Sequence, residues 1–231
     1  MARIQGRQRR DSLIDRYLIH HFHRGHHMST SPAPGLPQGF GSATTERLPL
    51  PAREAMNAAQ QAAADAIVNG PRKAIFGPFV ALLQAPGVME HIGDTGAALR
   101  FKGTLPDAVR ELVICVVARE VGNQFEWQTH APLAVKAGVD EAAVTAIGEG
   151  RRPRGLPADL ACATDFASEL MLRNGVSDAT YAEAVAQFGA PGTVELTALI
   201  GYFTMICWVM NVARTPGPAG SQASGLAGFP R

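Results

Sequence analysis

The stretch from Leu105 to Gly138, LPDAVRELVICVVAREVGNQFEWQTHAPLAVKAG, limits the possible folds more than any other part of the chain. Val109, Leu112, Val113, Val116 and Val117 recur at the spacing of one helix face, and Pro106 stands near the first turn. Arg110 and Glu111 open a polar strip beside them. Gly122-Asn123 breaks the run, and a second helical segment closes at Gly138. A break of this kind suits an αα-hairpin.

The rest of the region from Leu48 to Arg214 has the same character. Pro51 opens an alanine-rich segment that Asn69-Gly70-Pro71 stops, and FGPFVALLQAP and GVMEHIGDTGAALRFKG follow as shorter helical pieces. DEAAVTAIGEG has acidic residues in its first turn, where they suit the helix dipole. After ADLACATDFASELMLRNG, Ser177 is placed to cap SDATYAEAVAQFG. The segment APGTVELTALIGYFTMICWVMNVA is apolar nearly all round, which marks a buried helix. Nothing alternates with the period of a strand, and no internal repeat is evident. The expected fold class is all-α, a bundle-like domain.

Composition narrows the function. A formal net charge of +1 argues against a nucleic-acid partner. The longest apolar run, Leu196 to Val212, is interrupted by Gly201, Thr204 and Asn211, so no membrane span is expected. Cys115, Cys162 and Cys207 are far apart and odd in number, which suits thiols buried in a reducing cytoplasm. No pair among them has metal-ligand or redox-motif spacing.

Residues 1–47 hold five of the seven histidines and a Pro/Gly/Ser-rich stretch, and are expected to be a disordered extension rather than a targeting or metal-binding segment. Residues 215–231 are expected to be a loose tail, which leaves residues 48–214 as the folded domain. Only His91 and His130 remain within that domain. His91, beside Glu90 and Asp94, reads as a lone exposed histidine.

Glu126 and His130 are four residues apart, so on a helix they share a face within contact range. Such a pair either holds an imidazole in one tautomer as a general base or decorates a wet surface. Glu111 joins them only if the break at Gly122 folds the two helices into a hairpin. Glu195, near the start of the apolar last helix, can meet a helix N-terminus, line a pocket or sit at an oligomer interface.

RELVICVVAREVGNQFEWQTHAPLAVKAGV resembles the core of the carboxymuconolactone decarboxylase and alkylhydroperoxidase D superfamily. Peroxidase members carry Glu-x11-Cys-x2-Cys-x3-His, and Glu111, Asn123, Glu126 and His130 stand at those four positions with both cysteines replaced. Glutamate four residues before the histidine instead resembles the decarboxylase branch. The flanking segments GPFVALLQAPGVMEHIGDTGAALRFKGTLPDAVRELVI and VELTALIGYFTMICWVMNVA agree with the family's outer helices.

The resemblance implies a cofactor-independent lyase with no metal, acting on a small carboxylated lactone or related acid of aromatic catabolism. It also implies a homotrimer or hexamer, and the cysteine pattern a cytoplasmic one. His130, Glu126 and Glu111 are the expected catalytic residues, and Arg110, Trp127 and Asn123 stand on the substrate side. Arg110 is suited to a substrate carboxylate or to a surface salt bridge, and Trp127 to a pocket wall or to plain helix packing. Thiol peroxidase chemistry needs an attacking and a resolving thiol, which Asn123 and Glu126 cannot supply. A lactone hydrolase or isomerase, an alkylhydroperoxidase-like protein without the cysteine pair, and a catalytically silent scaffold are the alternatives.

Overall fold

A computed structural model of the chain describes residues 45–70, 72–221 and 225–226. The expectations for residues 1–44 lie outside the described residues. Among the described residues there are helices and no strands. The α-helices, in chain order, are α1 (Ala58–Asn69), α2 (Pro78–Leu82), α3 (Pro86–Ala97), α4 (Asp107–Val121), α5 (Gln124–Lys136), α6 (Glu141–Gly148), α7 (Ala158–Arg173) and α8 (Asp178–Ala213), with a 3-10 turn at Arg53–Ala55 and a π turn at Ala98–Lys102. The all-α expectation holds.

Local chemistry sets the ends of these helices. Asn57 and Gln60 form a reciprocal capping box at the start of α1. Asp140 and Ser177 accept from backbone N–H groups at the starts of α6 and α8. Gly122 ends α4 in the left-handed region, with φ 70°, a conformation that costs glycine little. The chain reverses there and α5 packs back along α4, so the predicted hairpin forms.

α4 is the axis of the molecule. Every residue from Val109 to Arg119 is buried, because α5, α7 and α8 pack around it. The polar strip expected from Arg110 and Glu111 therefore does not face water: they are 4% and 1% exposed. An amphipathic surface helix would leave them wet, but a helix enclosed by three neighbours has no wet face.

α8 is the one described helix long and apolar enough to cross a membrane by length and composition. Here it is largely a core helix, with Leu196, Leu199, Ile200, Ile206, Cys207 and Met210 inside. Gly189, at φ 69° and ψ 171°, breaks it into two helical parts just before Pro191. One face is nevertheless open: Val194, Trp208 and Val212 are 69%, 60% and 63% exposed. Beyond α8 the chain does not leave the bundle at once. Leu226 is buried and exchanges two hydrogen bonds with the side chain of Gln124, at 3.0 and 2.8 Å.

Candidate active site

The hairpin brings together three residues that the sequence pairs only in part. His130 Nδ1 lies 2.5 Å from Glu111 Oε2 across the α4–α5 interface. Its other ring nitrogen, Nε2, lies 3.0 Å from Glu126 Oε2, one turn back on α5. All three are deeply buried: Glu111 1%, Glu126 4% and His130 2% exposed. Phe203 of α8 meets the imidazole edge-on with ring centroids 5.4 Å apart. The imidazole is thus clamped on both nitrogens and fixed in plane.

Electrostatics in this clamp favour the charged pair. Burial alone would lower the His130 pKa, but the charge and hydrogen bonds of Glu111 and Glu126 outweigh it and raise the pKa. Burial would likewise raise the Glu111 pKa. Contact with the His130 imidazole, helped by Arg100 and Arg110, reverses that and holds the carboxyl below its ordinary value. Both directions describe one state, an imidazolium beside a carboxylate.

A second layer fixes the clamp. Asn123 caps α5: its Oδ1 accepts from Glu126 N at 2.8 Å, and its Nδ2 donates to Cys207 O at 3.2 Å and Asn211 Oδ1 at 2.8 Å. The turn that carries Glu126 is thereby tied to α8. Pro132, inside α5, has no N–H for the carbonyl of Gln128, and Ser221 Oγ donates to that oxygen at 3.2 Å. Glu195 accepts from Thr104 N, Thr104 Oγ1 and Leu105 N, which fastens the approach to α4 onto α8. Of the three settings the sequence allows for Glu195, its backbone partners lie just ahead of a helix N-terminus.

His130 and Glu126 open onto a cavity of about 40 Å³. Arg72, Arg100, Phe125, Thr129, Tyr202 and Phe203 complete most of its wall. The residues assigned to the substrate side lie elsewhere. Arg110 turns away from the cavity, with its guanidinium 2.8 Å from Asp107 Oδ1 and 3.7 Å from Glu111 Oε1. Trp127 packs on α6, so close that a Cβ on Gly148 would lie 2.7 Å from its ring. Asn123 is a buried cap. Arg72, Arg100, Thr129 and Tyr202, which the sequence did not mark as site residues, face the cavity beside His130 and Glu126.

No thiol reaches this site. Burial pushes the Cys115 and Cys207 thiols well up, and Cys162 is pushed up to about 11, again first by burial. None of the three cysteines lines the cavity.

The fold and site define, over the described residues, an all-α protein with an imidazole clamped between two buried acids. Residues 86–163 match the Carboxymuconolactone decarboxylase family, a segment that runs from α3 into α7 and contains Glu111, Glu126 and His130. Over that segment the chain is similar to the carboxymuconolactone decarboxylases, and its fold is that of the AhpD-like proteins. No curated protein sequence matches it.

Among solved structures, it is similar to an uncharacterized peroxidase-related protein with the alkylhydroperoxidase AhpD core from Ralstonia eutropha JMP134. That likeness has a TM-score of 0.63 and 14% identity, over 75% of this chain and 93% of the other. A protein of unknown function from Agrobacterium tumefaciens has a TM-score of 0.52 and 13% identity over 60% and 95% of the two chains. A variant of the debrominase Bmp8 in complex with 2,3,4-tribromopyrrole has a TM-score of 0.58 and 12% identity over 76% and 92%. At these identities the likeness is one of fold.

Proposed function

We propose that the protein is a cofactor-independent proton-transfer enzyme, a carboxy-lyase acting on a small carboxylated lactone or a related organic acid. One observation carries the reading: His130 is held between two buried carboxylates at the wall of a cavity, in a site with no thiol. Loss of CO2 from a carboxylated butenolide breaks one carbon–carbon bond and sends its electron pair into the conjugated carbonyl. The resulting dienolate oxygen needs nearby positive charge, and the carbanionic carbon needs a proton.

Glu111 keeps His130 charged and oriented, so the imidazolium supplies both. Glu126 accepts the Nε2 proton and itself faces the cavity, which suits it to pass that proton on to a bound substrate. Arg72 and Arg100 add positive charge at the same wall. Raised thiol pKa values argue against the peroxidase alternative by the family's thiolate route. The debrominase structure with a bound tribromopyrrole supports the view that this fold accommodates a small cyclic ligand.

The reading is tested by incubating the protein with a carboxylated butenolide in D2O and following CO2 release. The product is expected to carry one solvent-derived deuterium on a carbon of the former dienolate, either the one that lost CO2 or the one alpha to the carbonyl. His130→Ala is expected to lower turnover by roughly 10²–10⁴-fold while the protein stays folded. A folded His130→Ala or His130→Gln protein that is fully active contradicts the role assigned to this side chain.

A further inference from the structure

The cavity beside His130 has an anion-binding character that the reaction scheme alone does not require. Arg72 Nε, Arg100 Nε, Arg100 Nη2 and Thr129 Oγ1 are buried, sit on residues that line the cavity, and have no protein hydrogen-bond partner. Buried donors without acceptors are disfavoured, and most strongly when they belong to a charged group. Two guanidiniums of this kind at one small cavity call for an acceptor with more than one oxygen and a negative charge.

The backbone around Arg100 is shaped for this placement. Arg100 lies in a π turn, Ala98–Lys102, a rare geometry that recurs at functional sites. Gly96 and Gly103 flank it at close approaches to α8. A Cβ on Gly96 would fall 2.1 Å from Tyr202 Oη, and one on Gly103 would fall 2.1 Å from Glu195 Oε1. Arg72 is fixed from the other side. It donates to Gly93 O at 3.1 Å, hydrogen-bonds Tyr202 and stacks on Phe79 at 4.5 Å.

The charges at the cavity do not cancel. Arg72, Arg100 and the His130 imidazolium stand against Glu126 at the wall and Glu111 behind His130, an excess of one positive charge. Asp94 is the further acid near Arg72, but it is exposed and lines the neighbouring groove rather than the cavity. That groove, between α1 and α3, encloses about 490 Å³ and is walled largely by alanine and glycine, among them Ala59, Ala63, Ala66 and Gly93. A space of this size fits a small organic molecule. Arg72 lines both the groove and the cavity.

We propose that Arg72, Arg100 and the Thr129 hydroxyl anchor a carboxylate of the substrate, and that the alanine-lined groove receives the apolar remainder of the molecule. The substrate class is therefore a monocyclic organic acid presented carboxylate-first past Arg72 to the cavity of His130. This rests on the reading of the protein as an enzyme for small organic acids, and assigns to Arg72 and Arg100 the role that the sequence suggested for Arg110.

Binding of benzoate to the full chain, measured by calorimetry and by thermal unfolding, tests the anchor without any turnover. Benzoate is expected to bind wild type, while neutral benzamide does not bind. Arg100→Gln and Arg72→Gln are each expected to weaken benzoate at least about 10-fold. Both variants are expected to unfold cooperatively, so that a weaker affinity reads the lost anchor rather than a lost fold.

Equal benzoate affinity in wild type and both arginine variants overturns the anchor. So does benzamide binding as tightly as benzoate, or no benzoate binding to wild type at millimolar concentration. The lyase reading fails separately: arginine-dependent benzoate binding without CO2 release leaves the anchor standing, and CO2 release at unchanged KM in Arg100→Gln removes the anchor alone.

Discussion

His130 Nδ1 and Glu111 Oε2 lie 2.5 Å apart although 19 residues separate them in the chain. The contact exists because Gly122 reverses the chain, so that α5 lays His130 against the first turns of α4. Glu126, one helical turn before His130, then occupies Nε2 at 3.0 Å. The result is an imidazole whose two nitrogens are committed to acids from different helices. Such a ring is oriented, charged and shielded from water at once, which is how a proton donor of moderate strength is kept ready.

Removing Glu111 should cost stability before anything else. Glu111→Ala leaves Nδ1 of a buried imidazolium without its anion and opens space at the centre of the bundle, so a loss of roughly 3–5 kcal/mol is expected. Glu111→Gln keeps the shape and an acceptor, and its loss should be clearly smaller. Urea unfolding of the three proteins measures the difference. Equal stability of wild type and Glu111→Ala would mean that the contact contributes nothing.

The same pair predicts a pH window. Glu111 has a folded pKa below its ordinary value of 4.5, so its contribution is present above that pH and fades as pH falls through the lowered value. His130 has a folded pKa above its ordinary 6.5, so its contribution is complete below 6.5 and fades as pH rises through the raised value. The stability gap between wild type and His130→Gln should therefore be widest between pH 4.5 and 6.5 and narrow on the alkaline side. Denaturant titrations across pH test this, and a gap that widens above pH 6.5 would contradict it.

The open face of α8 predicts self-association. Val194, Ala198, Gly201, Met205, Trp208 and Val212 follow one another at alternating spacings of four and three, the pattern of a helix–helix seam. Trp208 is 60% exposed, and nothing of its own subunit stands within 4 Å of a Cβ placed on Gly201. Burying this face against copies of the same chain accounts for it, and the resemblance to the superfamily implies a trimer or hexamer. Sedimentation velocity at micromolar concentration should show an oligomer for wild type and dissociation for Trp208→Asp. A monomeric wild type would leave the exposed seam unexplained.

Much of this architecture was legible in the sequence where one physical cause acts locally. The hairpin followed from Gly122, the last helix from its apolar composition, and the Glu126–His130 pair from its four-residue spacing. What escaped was the identity of the polar groups across the cavity. Arg110 looked suited to a substrate because it adjoins Glu111, but neighbours on a helix point about 100° apart, and Asp107 takes its guanidinium. Trp127 is separated from Glu126 in the same way and packs on α6. Arg72 and Arg100 come from a loop and a π turn, where no periodicity marks a direction. The signal that pointed to Arg100 was the pair of glycines on either side, Gly96 and Gly103, whose close approaches to Tyr202 and Glu195 require the fold to be known.

The central claim is that His130 is a carboxylate-held imidazolium, and the direct measurement is its titration by side-chain NMR, with the signal assigned by comparison with His130→Gln. In wild type the ring should remain doubly protonated above pH 6.5, and its pKa should fall in Glu111→Gln and in Glu126→Gln. A His130 that titrates at or below 6.5 in wild type and does not move in either glutamine variant would contradict the account.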